Sequence, residues 1–235
     1  MTATVSPPRS GDRRTVGYLV AGAALIALVA GLVLAFGVMR PPPLDSIAER
    51  GVTPPGSVAL LQWDGDGACL AIHVIRPDAT SKVSDCDSSL TAIVGWTVEG
   101  VMVTAWLDNG EVLRTYDPAT LTMVSSHAIS EGKTAGAGAG DGIGTETSSD
   151  GTMTVYWGAD YHVLWRVDAP SNYRVESGTR SPDGRWFALT DSAGRLLLVP
   201  ADGSASPTVW ATGVGANSSW PGPVWEGTPV AAAPG

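Results

Sequence analysis

The chain is 235 residues long, has a formal net charge of -9 at neutral pH and is 44% hydrophobic. That suffices for one ordinary domain beside a membrane segment and falls short of a large multidomain enzyme. From Arg40 onward 11 basic groups face 22 acidic ones, and so acidic a surface repels phosphate backbones, which excludes nucleic acid as a partner.

Residues 1 to 15 read as a disordered cytoplasmic N-terminus. Residues 16 to 39 hold no charged or strongly polar side chain, which is the length and character of a membrane-spanning helix. The run passes into "MRPPP" without a small-residue cleavage pattern, so a retained anchor is expected rather than a signal peptide. Arg9, Arg13 and Arg14 precede the span, whereas Arg40 and Arg50 after it are offset by Asp45 and Glu49. The basic excess therefore favours a cytoplasmic N-terminus and an extracytoplasmic C-terminal domain of a single-pass cell-membrane protein. Within the span Ala23, Ala27, Gly31 and Ala35 recur every four residues, a small-residue face on which a second copy could pack. Lysine occurs only at Lys82 and Lys133 amid abundant Arg, Ala, Gly and Val, a bias associated with high-GC bacterial genomes.

Residues 40 to 56, "RPPPLDSIAERGVTPPG", read as a proline-bearing stalk, and the globular part is expected from residue 57 to 235. There the apolar residues alternate or cluster in short runs rich in Val, Thr, Trp and Leu, bounded by Asp-Gly and Asn-Gly turns, so an all-β domain is predicted. Aligned on Gly67, Gly100, Gly151 and Gly184, each run meets a turn about ten residues on, at Pro77-Asp78, Asn109-Gly110, Asp160-Tyr161 and Ala193-Gly194. Four repeats and a partial fifth at Gly227 result, with "EGKTAGAGAGDGIGTETSS" as a surplus loop.

The fourth copy, "SPDGRWFAL" followed by "GRLLLVPADG", resembles the repeat of TolB-like, YVTN-type and WD-repeat β-propellers. The matching residues are Ser181, Pro182, Asp183, Gly184, Trp186 and Phe187. The resemblance implies antiparallel blades, with the Asp-Gly turn joining two strands and the following aromatic packing between blades. It also implies a small or incomplete propeller-like ring, since closed rings take about four to eight blades.

Cys69 and Cys86 are the only cysteines, and a hairpin turning at Pro77-Asp78 pairs residues whose numbers sum to 155, as theirs do. A structural disulfide across the hairpin is expected in an extracytoplasmic domain. His73, His127 and His162 lie in different repeats without a nucleophile-elbow, zincin or Cys-His arrangement around them, so no catalytic residue is assigned. His73 alternates with Ile72 and Val74 and reads as an outward-facing strand position. Asp64, Asp66 and Asp141 sit among glycines without the spaced ligands of a calcium loop, so no metal or cofactor is assigned. Of nine tryptophans, Trp63 and Trp96 read as interblade packing, and Trp220 and Trp225, near prolines, as a possible binding surface. The expected function is a non-catalytic anchored binding or assembly module for an envelope protein or polymer. The alternatives are an envelope hydrolase or lyase in which His162, Asp160 and Glu99 converge, and a structural subunit of a membrane complex.

Overall fold

The computed structural model describes residues 41 to 129, 142 to 214 and 222 to 230. The expected anchor with Ala23, Ala27, Gly31 and Ala35, most of the surplus loop with Asp141, and Trp220 lie outside the described residues. Among the described residues no helix is long and apolar enough to cross a membrane.

After a short helix, α1 (Ile47–Arg50), the chain is all β. Sheet I contains β1 (Val58–Trp63), β2 (Leu70–Ile75), β3 (Ser81–Val83) and, from the far end of the chain, β15 (Val224–Trp225), in the order β15-β1-β2-β3. Sheet II is β4 (Leu90–Thr97), β5 (Gly100–Leu107), β6 (Gly110–Tyr116) and β7 (Met123–Ala128). Sheet III is β8 (Gly144–Thr147), β9 (Thr152–Trp157) and β10 (His162–Asp168). Sheet IV is β11 (Val175–Arg180), β12 (Trp186–Asp191), β13 (Arg195–Pro200) and β14 (Thr208–Thr212). Sheets II to IV run in chain order, and every strand pairing is antiparallel.

The sheets pack face on face because each has an apolar face that only a neighbour can cover. Sheet I is apolar on both faces: Ala59, Leu61 and Ile72 meet Ile93, Val101 and Val103 of sheet II, while Val58, Leu60 and Ile75 meet Ala188, Leu196 and Leu198 of sheet IV. The opposite face of sheet IV, with Phe187, Leu189 and Leu197, meets Met153, Val155 and Leu164 of sheet III. Among the described residues no apolar cluster joins sheets II and III. His73, expected to face outward, is only 5% exposed, because the strand carrying it lies in a sheet that is covered on both sides.

The segment 223 to 228 ties three sheets together. Val224 and Trp225 pair with Ala59 and Val58 of β1, Trp225 Nε1 donates to the Thr179 carbonyl of β11 at 3.0 Å, and Gly227 and Thr228 exchange backbone hydrogen bonds with Trp96 of β4. Trp225 is therefore 1% exposed, packed against Trp210 with ring centroids 5.5 Å apart, and is not part of an accessible surface. Its neighbouring prolines suggested exposure, but a terminal segment recruited as an inner strand is buried whatever flanks it.

The repeat differs in phase from the sequence alignment. Gly100 and Gly184 turn the first strand of a sheet into the second and Gly227 follows the first strand of sheet I, whereas Gly67, Gly110 and Gly194 join second strands to third. By spacing, Gly142, which precedes β8, continues the first series and Gly151, between β8 and β9, the other, with intervals of 42, 42 and 43 residues and 43, 41 and 43 residues. All eight have positive φ. The period is thus a four-strand unit near 42 residues, the length of a WD-type blade.

Residues 41 to 56 are not a free stalk. Ser46 and Glu49 form a reciprocal capping box at the start of α1, Ile47 enters the core between sheets I and IV, and Val209 of β14 donates to the Asp45 carbonyl at 2.8 Å. A buried arginine fixes the start of this strap: Arg195 gives Nε to Asp191 at 2.8 Å, Nη1 to the Pro42 carbonyl at 2.9 Å and Nη2 to the Tyr173 hydroxyl at 3.3 Å. Burial, followed by the Asp191 charge, pushes the Tyr173 hydroxyl's pKa up, so it stays a neutral donor to that carboxylate.

Cys69 and Cys86 are bonded, with Cα atoms 5.7 Å apart. The hairpin register is nevertheless one residue off the expected one: His73 faces Val83 and Ile75 faces Ser81. Ala79, at φ 64, extends the Pro77-Asp78 turn by a left-handed residue, and the Leu70 to Asp87 bridge shifts the register one residue further in the same sense, so the two cysteines are bonded on a diagonal rather than directly opposite each other.

Candidate functional site

At one end of sheets III and IV, three turns enclose a cleft of about 540 Å³. The β9–β10 turn brings Trp157 and His162, the β11–β12 turn brings Arg180, Arg185 and Trp186, and the β13–β14 turn brings Asp202.

The β11–β12 turn is set by its own sequence. Gly184 at φ 71 closes it with a hydrogen bond from its N–H to the Ser181 carbonyl at 2.8 Å, and Ser181 Oγ and Asp183 Oδ1 accept the N–H groups of Trp186 and Arg185. Trp186 and Phe187 then alternate: Phe187 is fully buried between sheets III and IV, and Trp186 stays half-buried at the cleft wall. The β13–β14 turn lies directly on β10, since a Cβ at Gly203 would come within 2.8 Å of the Val163 carbonyl oxygen. Only glycine allows that approach, and the approach fixes the width of the cleft.

Arg180 lies over the indole of Trp157, its Cζ 4.7 Å from the ring centroid, and its Nε donates to the Gly184 carbonyl at 2.8 Å. The indole is backed by Phe187 at 5.4 Å and met edge-on by His162 at 6.0 Å. This stack holds a permanent positive charge in a fixed place beside an aromatic wall. His162 Nε2 lies 3.1 Å from the Ala201 carbonyl. A carbonyl only accepts, so Nε2 carries a proton and Nδ1 is the nitrogen left to face other groups. Asp202, hydrogen-bonded by Ser204 and close to His162, is held below the usual carboxylate range and is ionised.

Of the triad that an enzyme would bring together, only His162 lines the cleft. Asp160 stays in the turn before it, and Glu99 lies in the β4–β5 turn of sheet II. His127 is exposed on β7, the outer strand of sheet II. Asp64 accepts the N–H groups of Ala68 and Cys69 and thereby shapes the β1–β2 turn; it lies close to two sulfurs already bonded to each other, which leaves no metal site there. Asp66 is exposed in the same turn. Trp96 packs between sheets I and II as expected, whereas Trp63 is 40% exposed. Arg180 and Arg185 were not singled out from the sequence, although they bracket Ser-Pro-Asp-Gly, a flanking pattern that places two charges on the two strand ends of one turn.

No protein-family model matches the chain, and no curated protein matches it. Among solved structures it is similar to the C-terminal WD40 domain of Sif2, with 13% identity, a TM-score of 0.19 and coverage of 65% of this chain and 59% of that domain. The chain thus spans about three-fifths of that domain's length. The architecture stands on the sheets themselves: among the described residues three four-stranded antiparallel sheets and one three-stranded sheet follow along the chain, sheet I packs face to face with sheets II and IV and sheet IV with sheet III, and β4 and β11 are hydrogen-bonded to the segment that carries β15. In these features the chain resembles a WD-repeat-like β-propeller.

Proposed function

We propose that the chain is a membrane-anchored, extracytoplasmic binding or assembly module that recognises a cell-envelope protein or polymer through the cleft between sheets III and IV. The observation that carries this reading is the arrangement of Arg180 on Trp157. A cation fixed on an aromatic wall, in a cleft bordered by three rigid turns, is a preorganised recognition surface. The apolar, arginine-flanked run at residues 16 to 39 supports the anchored part of the reading. Neither Asp160 nor Glu99, the acids expected to converge on His162 in an envelope enzyme, lines the cleft.

The test is site-specific photo-crosslinking of the full-length chain in its native membranes. A photoreactive residue at Arg185 should give a discrete adduct, and one at Asp108, in the β5–β6 turn of sheet II, should not. Equal labelling at both positions, or none at Arg185, would refute the cleft as the recognition surface.

A further inference from the structure

We propose that the end of the domain bearing Trp63, Trp106 and Leu107 is a membrane-docking surface, seated at the headgroup level of the bilayer that takes up the apolar run at residues 16 to 39. The inference rests on the anchored part of the functional reading and adds which face of the domain meets lipid.

The reach of the chain sets the distance. Only Arg40 separates Met39, the last residue of the apolar run, from Pro41, and the Pro42 carbonyl is held by the buried Arg195 at 2.9 Å. Three residues span at most about 10 Å when fully extended. The strap from Pro42 to Ile47 is itself fastened to sheet IV, so it has no slack to carry the domain away from the bilayer. Arg195 opens β13 directly after the β12–β13 turn, and that turn is therefore held nearest the lipid.

Hydrogen bonds link the same turn to both tryptophans. The Gly194 carbonyl accepts from the Val214 N–H at 3.0 Å and the Gly213 carbonyl from Gln62 Nε2 at 3.4 Å, which brings the end of β1, with Trp63, to this end. Leu70, opposite Trp63 on β2, exchanges backbone hydrogen bonds with Asp87, and the Ser89 carbonyl accepts the Trp106 N–H at 2.8 Å. Trp63 and Trp106 are the two exposed tryptophans among the described residues, and Trp106, 61% exposed, is followed by the exposed Leu107. Indoles left in water concentrate at membrane interfaces, where the ring is covered and the N–H stays wet. Asp66 and Asp108, exposed beside them, keep the contact shallow, because a carboxylate stays in the aqueous layer.

The cleft between sheets III and IV lies at the other end. Strands β12 and β13 pair Thr190 with Leu196 near their turn and Trp186 with Pro200 at the cleft, roughly 14 Å away along the strands. The cleft thus opens away from the bilayer, and a photoreactive residue at Asp108 meets lipid rather than the partner expected at Arg185.

The experiment uses the full-length chain in phosphatidylcholine nanodiscs, with a nitroxide attached at Asn109→Cys in the β5–β6 turn or at Ser206→Cys in the β13–β14 turn. Both positions are exposed, and the native cysteines are bonded to each other and do not take the label. A water-soluble nickel chelate should reach the label at Asn109→Cys several-fold less readily than the one at Ser206→Cys. Replacing both tryptophans, Trp63→Ser with Trp106→Ser, should abolish that protection while the circular dichroism stays that of the parent. Equal nickel access at the two positions, or protection of Ser206→Cys instead, would overturn the docking surface and leave the anchor standing. Protection that persists without the tryptophans would overturn it as well. Failure of the chain to co-elute with the discs would remove the anchored reading itself, and the docking surface with it.

Discussion

Phe187 and Trp186 are neighbours in sequence and opposites in environment, which makes them a calibrated pair. Phe187 fills the interface of sheets III and IV completely, so Phe187→Ala should cost about 3–5 kcal/mol in a denaturant melt, whereas the half-buried Trp186→Ala should cost less. Gly184→Val is governed by backbone strain: a Cβ there would find its nearest neighbour, Arg180, at an ordinary 3.5 Å, so the loss should be about 1–2 kcal/mol from the positive φ. His73 sets a pH dependence. Its ring is buried, Nδ1 meets Gln62 Oε1 at 2.9 Å, Nε2 has no partner among the described residues, and burial lowers its pKa from the usual 6.5. The unfolded chain therefore takes up a proton at a higher pH than the folded one, so the His73 contribution is fully present above about pH 6.5 and is lost as pH falls through the folded pKa. The wild type should lose more melting temperature than His73→Gln between about pH 7.5 and pH 5. Equal losses would show that His73 does not titrate on unfolding.

At the scale of elements, the β2–β3 hairpin is the weakest pairing in sheet I by composition, since β3 is short, polar and at an edge. The disulfide compensates by closing a loop of 17 residues, so replacing both cysteines with serine should cost on the order of 3 kcal/mol. Peptide mapping without reductant should recover Cys69 joined to Cys86, and two free thiols after expression in an oxidising compartment would count against the hairpin. The pairing was legible in the sequence even though its register was read one residue off, because Ala79 adopts a conformation that turn sequences usually give to glycine. Repeat phase was harder to read, since the same Gly-bearing turns serve first-to-second and second-to-third strand connections, and local chemistry does not distinguish them. The strap was illegible for another reason: prolines mark both free stalks and packed extended segments, and the contacts that decide between them come from distant residues such as Val209, bonded to Asp45, and Arg195, 153 residues away from Pro42. Alternating hydrophobicity announced the strands, but no periodicity reports that sheet I is covered on both faces.

For the whole molecule, orientation is the first question, and the lysine distribution offers a direct test. Both lysines follow the apolar run, so a membrane-impermeant amine reagent on intact cells should label the exposed domain at Lys82 or Lys133 and spare the N-terminal amine. The reverse pattern would invert the topology and remove the oxidising environment invoked for the disulfide. A stop codon after Gly222 should abolish folding of the whole domain, because residues 223 to 228 bond to sheets I, II and IV at once. Circular dichroism and protease resistance like those of the parent would show instead that these residues are an accessory. The late position of β15 also sets a timetable for biogenesis. The strand that pairs with β1 is synthesised more than 160 residues after it, roughly ten to thirty seconds at ordinary elongation rates, and through that interval the inner edge of sheet I has no partner. Nascent chains must therefore be shielded at that edge until Val224 and Trp225 have been made.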